Sequence, residues 1–302
     1  MTAVVHLVRH ANGTAPFEAF LDSYSNHEAG HEHELVLLWK GFPAAAALEP
    51  YRELAPQGAR ELELDDTGRD VHAFLTAASS LEHERICFLN SFATIEAPGW
   101  LGHLNAALDQ AGAGIAGASG SWGSHRSFAL LQLGLPSPYR TLLSNRKAFA
   151  EAFRTDSPAE ELGLGRRLAK AAVDVPRAIV GHDSFPSPHV RTNAFLIERR
   201  LLLEVAPQGA RGRSASYRFE SGQRSLSRSL LARGLRTLVV ARDGRARDHG
   251  QWAEADVFWQ GDQSDLLVAD NQTRMYQRAN PESRFMLARY AWGDQARRGP
   301  LP

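Results

Sequence analysis

Three short patterns in this chain carry side chains that can do chemistry. Tyr217-Arg218-Phe219-Glu220-Ser221-Gly222 sets a carboxylate just ahead of an amphipathic run, Ser225 to Ala232, which stops at Gly234 and feeds an apolar strand. A carboxylate there can take the proton from a hydroxyl as its oxygen attacks, a role that contributes roughly 10²–10⁴-fold to rate. On spacing alone, a first-turn acid in the favourable field of a helix N-terminus is the stronger reading of Glu220. His27-Glu28-Ala29-Gly30-His31 matches H-E-x-x-H, whose imidazoles hold zinc when they share one face of a helix, with the Glu as base. Here the pattern falls where a helix should end, Gly30 is a poor interior residue, and a solvated loop is expected. Gly112-Ala113-Gly114-Ile115-Ala116-Gly117 matches G-x-G-x-x-G. A dinucleotide site needs a strand before it and a helix after it; a helix precedes it, so a helix-to-strand connection is expected.

Two polar clusters add candidates for binding an acceptor or a phosphate. Pro188-His189-Val190-Arg191-Thr192-Asn193 crowds hydrogen-bonding groups ahead of a strand, and Asp262-Gln263, Asp265 and Asp270 to Arg274 do so near the end of the chain. Hydrogen-bonded loops are the plainer explanation of both. Arg228 and Arg274 have the fork geometry for a diphosphate, but spacing places neither.

The elements that must position these groups follow from periodicity. Strands are expected at Val4 to Val8, Leu35 to Trp39, Glu61 to Leu64 and Ile86 to Leu89. Helices are expected between them, with Phe17, Phe20, Leu21 and Tyr24 on one face, then Val71, Phe74, Leu75 and Ala78, then Trp100, Leu101, Leu104 and Leu108. Strand alternating with helix predicts a parallel sheet covered by helices, with ligands beyond the carboxyl ends of the strands. That places Asn12, Gly41, Asp65 to Asp70 and Asn90 to Thr94 at one crevice. Further on, helices are expected at Pro138 to Phe153 and Ala159 to Val173, strands at Asn193 to Ile197 and Leu235 to Ala241, and short apolar pieces between polar turns over the last 55 or so residues.

Composition narrows the class. The 302 residues are 43% hydrophobic and 23% charged, enough for a sizeable core. Lys plus Arg is 34 and Asp plus Glu is 34, so no bulk charge draws the chain to nucleic acid or a membrane surface. Cys87, the single cysteine, sits in an apolar run and suits a reducing compartment. No signal peptide is read at the start, and no apolar run approaches the roughly 20 residues of a membrane span. A cytoplasmic location is expected.

Taken in order, these segments resemble the GT-A glycosyltransferases, family 2 and its bacterial relatives above all. Phe20-Leu21-Asp22-Ser23 is similar to the family's Phe-Leu-x-Ser run, and Thr67-Gly68-Arg69-Asp70 to its Asn-x-Gly-Phe element. Phe88-Leu89-Asn90-Ser91-Phe92 resembles Phe-Leu-Asn-x-Asp, Pro98-Gly99-Trp100-Leu101 matches the run that follows, and Glu220 stands where the family carries its catalytic acid. The resemblance spans roughly residues 3–110 and 185–245. It implies a single GT-A α/β domain, with a nucleotide-binding half over 1–125, an acceptor half over 126–245 and an extension over 246–302. It implies a hexosyltransferase acting on a nucleotide-diphosphate sugar, inverting, with Glu220 as base, in a pathway such as polysaccharide biosynthesis. Asn12, Asp66, Asp70, Asn90 and Ser91 would hold the donor, and His189, Arg191, Asn193 and Arg228 the acceptor or phosphate. The acceptor would be a glycan, a lipid-linked molecule or a small metabolite. Phe92 replaces the expected Asp, so a Mn or Mg ion loses its main ligand. Asp65, Asp66 or a later acid would take over, or Arg and backbone donors would neutralise the leaving group, or a non-catalytic binding module remains.

Overall fold

The computed structural model describes residues 1–154, 173, 175–206 and 213–299. Its strands are β1 (Thr2–Arg9), β2 (His33–Lys40), β3 (Arg60–Leu64), β4 (Arg85–Leu89), β5 (Thr94–Ile95), β6 (Ala113–Gly117), β7 (Gly120–Ser121), β8 (His189–Val190), β9 (Ala194–Glu198), β10 (Arg236–Val240), β11 (Ala246–Asp248) and β12 (Val268–Ala269). Eight of them form one sheet in the order β11-β10-β6-β9-β4-β1-β2-β3. β3, β2, β1 and β4 run parallel, as do β6 and β10, while β9 runs antiparallel to both β4 and β6, and β11 antiparallel to β10. This is the α/β architecture expected, a mostly parallel central sheet flanked by helices. β5 with β12, and β7 with β8, make two short antiparallel ribbons beyond it.

Alternation along the strands divides the core into two layers. From β1, Ala3, Val5 and Leu7 enter one layer with Phe74 and Phe88, and Val4 and Val8 enter the other with Phe17, Phe20 and Trp100. Helices Ala15–Asn26, Ala45–Arg52 and Trp100–Leu108 cover the second face; helix Asp70–Ser80 and those from the later chain cover the first. Among the described residues, no helix is long and apolar enough to cross a membrane.

Several expectations change. The Gly-rich stretch after Gly112 is a buried sheet strand, β6, with only Gly112 forming the turn into it (φ 74°). A Cβ on Gly117 would lie 2.3 Å from Val190 Cγ1, so close packing of β8 explains that glycine. The helix expected over Pro138 to Phe153 is broken into Tyr139–Leu142 and Arg146–Arg154. The C-terminal pieces are two helices, Asn271–Arg278 and Pro281–Trp292. Helix Ala45–Arg52 has no counterpart in the periodicity reading. The expected helix Ala159 to Val173 lies outside the described residues apart from its last position.

The H-E-x-x-H segment is a loop, because the helix before it stops at Asn26. Its backbone has a different role: the carbonyls of Glu28 and Ala29 accept from Gly99, Leu101 and Gly102 N–H at 2.8–3.0 Å, satisfying the open amides at the start of helix Trp100–Leu108. His27 Nδ1 contacts the Ser23 carbonyl at 2.9 Å. His27, Glu28 and His31 therefore do not share a helical face, and the zinc geometry is overturned.

Candidate active site

The carboxyl ends of β1 to β4 do meet in one crevice. Arg9, closing β1, reaches Asp66 at 3.4 Å and Asp70 at 3.9 Å. Lys40, closing β2 and only 1% exposed, donates from Nζ to Asp65 O, Asp66 Oδ1 and Thr67 O at 3.0–3.2 Å. A buried ammonium is tolerated only when its donors are met, and here they shape the loop after β3. Asn12 Nδ2 donates to Ser91 Oγ at 2.8 Å, while Asn90 Oδ1 accepts the Phe92 N–H at 3.0 Å. Arg9 Nε and Asp70 Oδ1 are both buried without a hydrogen bond, although Oδ1 lies 3.9 Å from Arg9 Nη1. Burial raises the Asp70 carboxyl, against the pull of Arg9, Arg69 and Lys40, and the charge of Glu220 adds to the rise.

The two carboxylates that might replace the missing Asp each use Oδ1 within the loop: Asp66 toward Lys40 and Arg9, and Asp65 toward the Thr67 N–H at 3.0 Å. The Phe92 carbonyl accepts from Arg274 Nη2 at 2.9 Å, and Arg274 Nη1 donates to Thr94 Oγ1 at 3.2 Å. A guanidinium thus grips the segment where a metal carboxylate is expected. Among the described residues, no cluster of three His, Cys, Asp or Glu side chains fits a metal.

Glu220 lies in the last turn of helix Arg213–Ser221, not in a first turn. The dipole there disfavours an anion, so the helix-dipole explanation of Glu220 fails. Oε1 accepts the Thr192 N–H at 3.0 Å, fixing the carboxylate beside β8 and β9. Glu220 lines two cavities at once. The smaller, about 160 Å³, is bounded by Arg69, Asp70, Thr192 and Ser216 as well. The larger, about 650 Å³, also holds His125, His189 and Arg191.

His189 is buried, and its Nδ1 contacts the Ser187 carbonyl at 2.8 Å. A carbonyl only accepts, so Nδ1 carries the proton and Nε2 is the basic nitrogen. Burial lowers the pKa of His189 against the pull of Glu220. Burial also holds His125 down, to about 3. Arg191 is spoken for: its guanidinium donates to Asp270 Oδ2 at 2.8 Å and Ser119 Oγ at 3.2 Å, and lies 3.8 Å over the Phe258 ring.

The structure thus joins Glu220 with Asp70 on one side and with His189 and Arg191 on the other. Asn193 is a strut: its carbonyl accepts from Asn90 N–H, and Oδ1 from Ser119 Oγ at 2.7 Å. Arg228 pairs with Asp183 at 3.1 Å and lines neither cavity. Asp270 is a helix cap, with Thr273 completing a capping box. The aromatic wall of the large cavity, with Phe149, Phe258, Trp259 and Tyr290, was not read from the sequence. The caps Asp270-x-x-Thr273 and Asn280-Pro281 were the available signal for the helices that carry part of it.

No protein-family model matches the chain, and no curated protein does either. Similar solved structures include the mannosyltransferase PcManGT from Pyrobaculum calidifontis in complex with GDP-Man and Mn2+, at 16% identity and TM-score 0.39, covering 72% of this chain and 50% of that one. The galactosyltransferase LgtC with donor and acceptor sugar analogs is 10% identical, TM-score 0.35, over 67% of this chain and 59% of its own. S. aureus TarS 1-349 is 16% identical, TM-score 0.30, over 38% and 34%. The chain spans about half the length of the mannosyltransferase. At these scores and identities the likeness says nothing of substrate or reaction.

Proposed function

We propose that this chain transfers a glycosyl group from a nucleotide-diphosphate sugar to an acceptor hydroxyl with inversion, Glu220 acting as base. The observation that carries the reading is the position of Glu220 between a small cavity that it shares with Asp70 and a large one that it shares with His189. The donor occupies the crevice of Arg9, Arg69 and Asp70, where two guanidinium groups and a carboxylate lie together. The acceptor hydroxyl enters from the large cavity. Its proton passes to Glu220, its oxygen bonds the anomeric carbon, and the bond from that carbon to the diphosphate breaks. Arg9 and Arg69 offset charge on the departing nucleoside diphosphate; no step runs through a metal.

One observation favours a second reading. The Arg274 grip on the Phe92 carbonyl replaces a metal-binding segment with a structural one, as a non-catalytic binder on the same fold would tolerate. Melting temperature with UDP, GDP, dTDP or CMP at millimolar concentration, each with and without Mn²⁺ or Mg²⁺, tests the donor site, since a ligand of the folded state alone must raise it. A metal-independent rise with one nucleotide, lost in Asp70→Asn, supports the transferase site. No rise with any nucleotide sinks it. A rise without any transfer in the presence of acceptors leaves the binding module.

A further inference from the structure

We propose that the large cavity is an acceptor subsite selecting a ring-bearing apolar alcohol or phenol over a sugar; this rests on the transferase reading above. Six rings form a continuous wall. Phe128 meets Phe149 at 5.1 Å between centroids, Phe149 meets Phe153 at 5.2 Å, and Phe153 meets Trp259 at 5.8 Å. Trp259 stacks on Phe258 at 4.3 Å and reaches Tyr290 at 6.1 Å, which closes back on Phe149 at 5.4 Å. Such faces accept a flat apolar body by offset stacking or edge contact.

Apolar surface predominates in the lining, and several of the polar groups there are committed. The Arg191 guanidinium serves Asp270, Ser119 and the face of Phe258. His189 spends Nδ1–H on Ser187, leaving one acceptor nitrogen near Glu220. A sugar brings several hydroxyls, and each one buried without a partner weakens binding. An aryl alcohol brings one hydroxyl for Glu220 or His189 and an apolar remainder for the rings. The volume, about 650 Å³, suits a ligand of several fused or linked rings.

Backbone strain points to the same wall. Trp259 has φ 49° and Gln263 φ 60°, a conformation uncommon for non-glycine residues and rare for bulky ones. Gln263 Oε1 accepts the Trp259 N–H at 3.0 Å, its Nε2 donates to Thr273 O at 2.9 Å, and the Trp259 indole donates to Gln272 O at 3.0 Å. Those bonds hold a costly conformation that places the indole in the cavity wall, where strain is kept for a binding surface.

The experiment is calorimetric titration of the full chain, without nucleotide, with 2-naphthol and with methyl glucoside and methyl mannoside, on wild type, Phe153→Ala and Tyr217→Ala. Phe153 and Tyr217 are 38% and 43% exposed while lining the cavity, so truncation leaves folding intact, checked by melting temperature. The expected result is saturable naphthol binding, weakened about tenfold by each truncation, with glycosides binding at least tenfold more weakly. Glycosides that bind as well as naphthol, or naphthol binding that neither truncation changes, overturn the proposal. Failure of the transferase reading shows separately, as absent nucleotide binding with naphthol binding intact.

Discussion

Glu220 carries the proposed chemistry, and His6 shares the acid sensitivity with other buried histidines such as His125. Glu220 keeps an acceptor oxygen toward Thr192 N–H when replaced by Gln, so Glu220→Gln should leave the melting temperature close to wild type while lowering transfer by about 10²–10⁴-fold. Full turnover in that variant, measured by product chromatography, removes the base from the mechanism. His6 is different: it is 0% exposed on β1, stacks on Phe20 at 3.6 Å, and has no partner on either ring nitrogen. Burial lowers its pKa from 6.5 to about 3. The unfolded chain therefore binds the proton first as pH drops, and the stability held by neutral His6 is complete above about 6.5 and lost toward about 3. The loss is about 1.4 kcal/mol per pH unit within that window. His6→Leu should flatten the slope of urea-melt stability against pH by about that amount; an unchanged slope contradicts the assignment. Glu220 was legible as chemistry, but its helix was not: Tyr217 to Gly222 reads as a lead-in, and the turn that ends at Ser221 shows only in the fold.

At the scale of elements, Lys40 decides the shape of the crevice. Its ammonium binds two carbonyls and a carboxylate of the loop after β3, and Lys40→Met leaves those carbonyls without their donor. We expect a loss of about 1–3 kcal/mol by denaturant melts, from unmet acceptors, together with weaker nucleotide binding as Asp66 is released from Lys40. Undiminished nucleotide affinity would separate the loop from the donor site. The strands β1, β2 and β4 were legible because buried apolar runs end in turn residues, and β3 because Leu62 and Leu64 alternate with Glu61 and Glu63 ahead of a turn. β6 was not, because five residues with two glycines and two alanines carry no apolar period, and their place in the sheet is set by Val190 and Leu235 packing against Gly117 and Gly114. Helix Ala45–Arg52 hid behind Pro50, which it nonetheless contains.

Across the whole molecule, one buried ion pair fastens the C-terminal helices to the segment that follows β8. Arg191, beside β8, and Asp270, capping Asn271–Arg278, are 9% and 1% exposed in their side chains. Asp270→Ala strands a buried guanidinium, at a cost of about 3–5 kcal/mol, and removes the cap, for about 1 kcal/mol more. Asp270→Asn retains an oxygen for the Thr273 N–H and should recover the cap alone. Equal urea midpoints for the two variants would deny the ion pair its role. The α/β class was visible in the strand–helix alternation; the antiparallel β9 and the aromatic wall were not, since both arise from contacts between segments far apart in sequence. The most direct measurement is transfer from a panel of UDP-, GDP- and dTDP-sugars to an aryl alcohol, in EDTA, by wild type and Glu220→Gln. Glycoside formed by wild type and reduced at least about a hundredfold in the variant is the predicted result. Product formed equally by both proteins, or formed only when Mn²⁺ is restored, contradicts it.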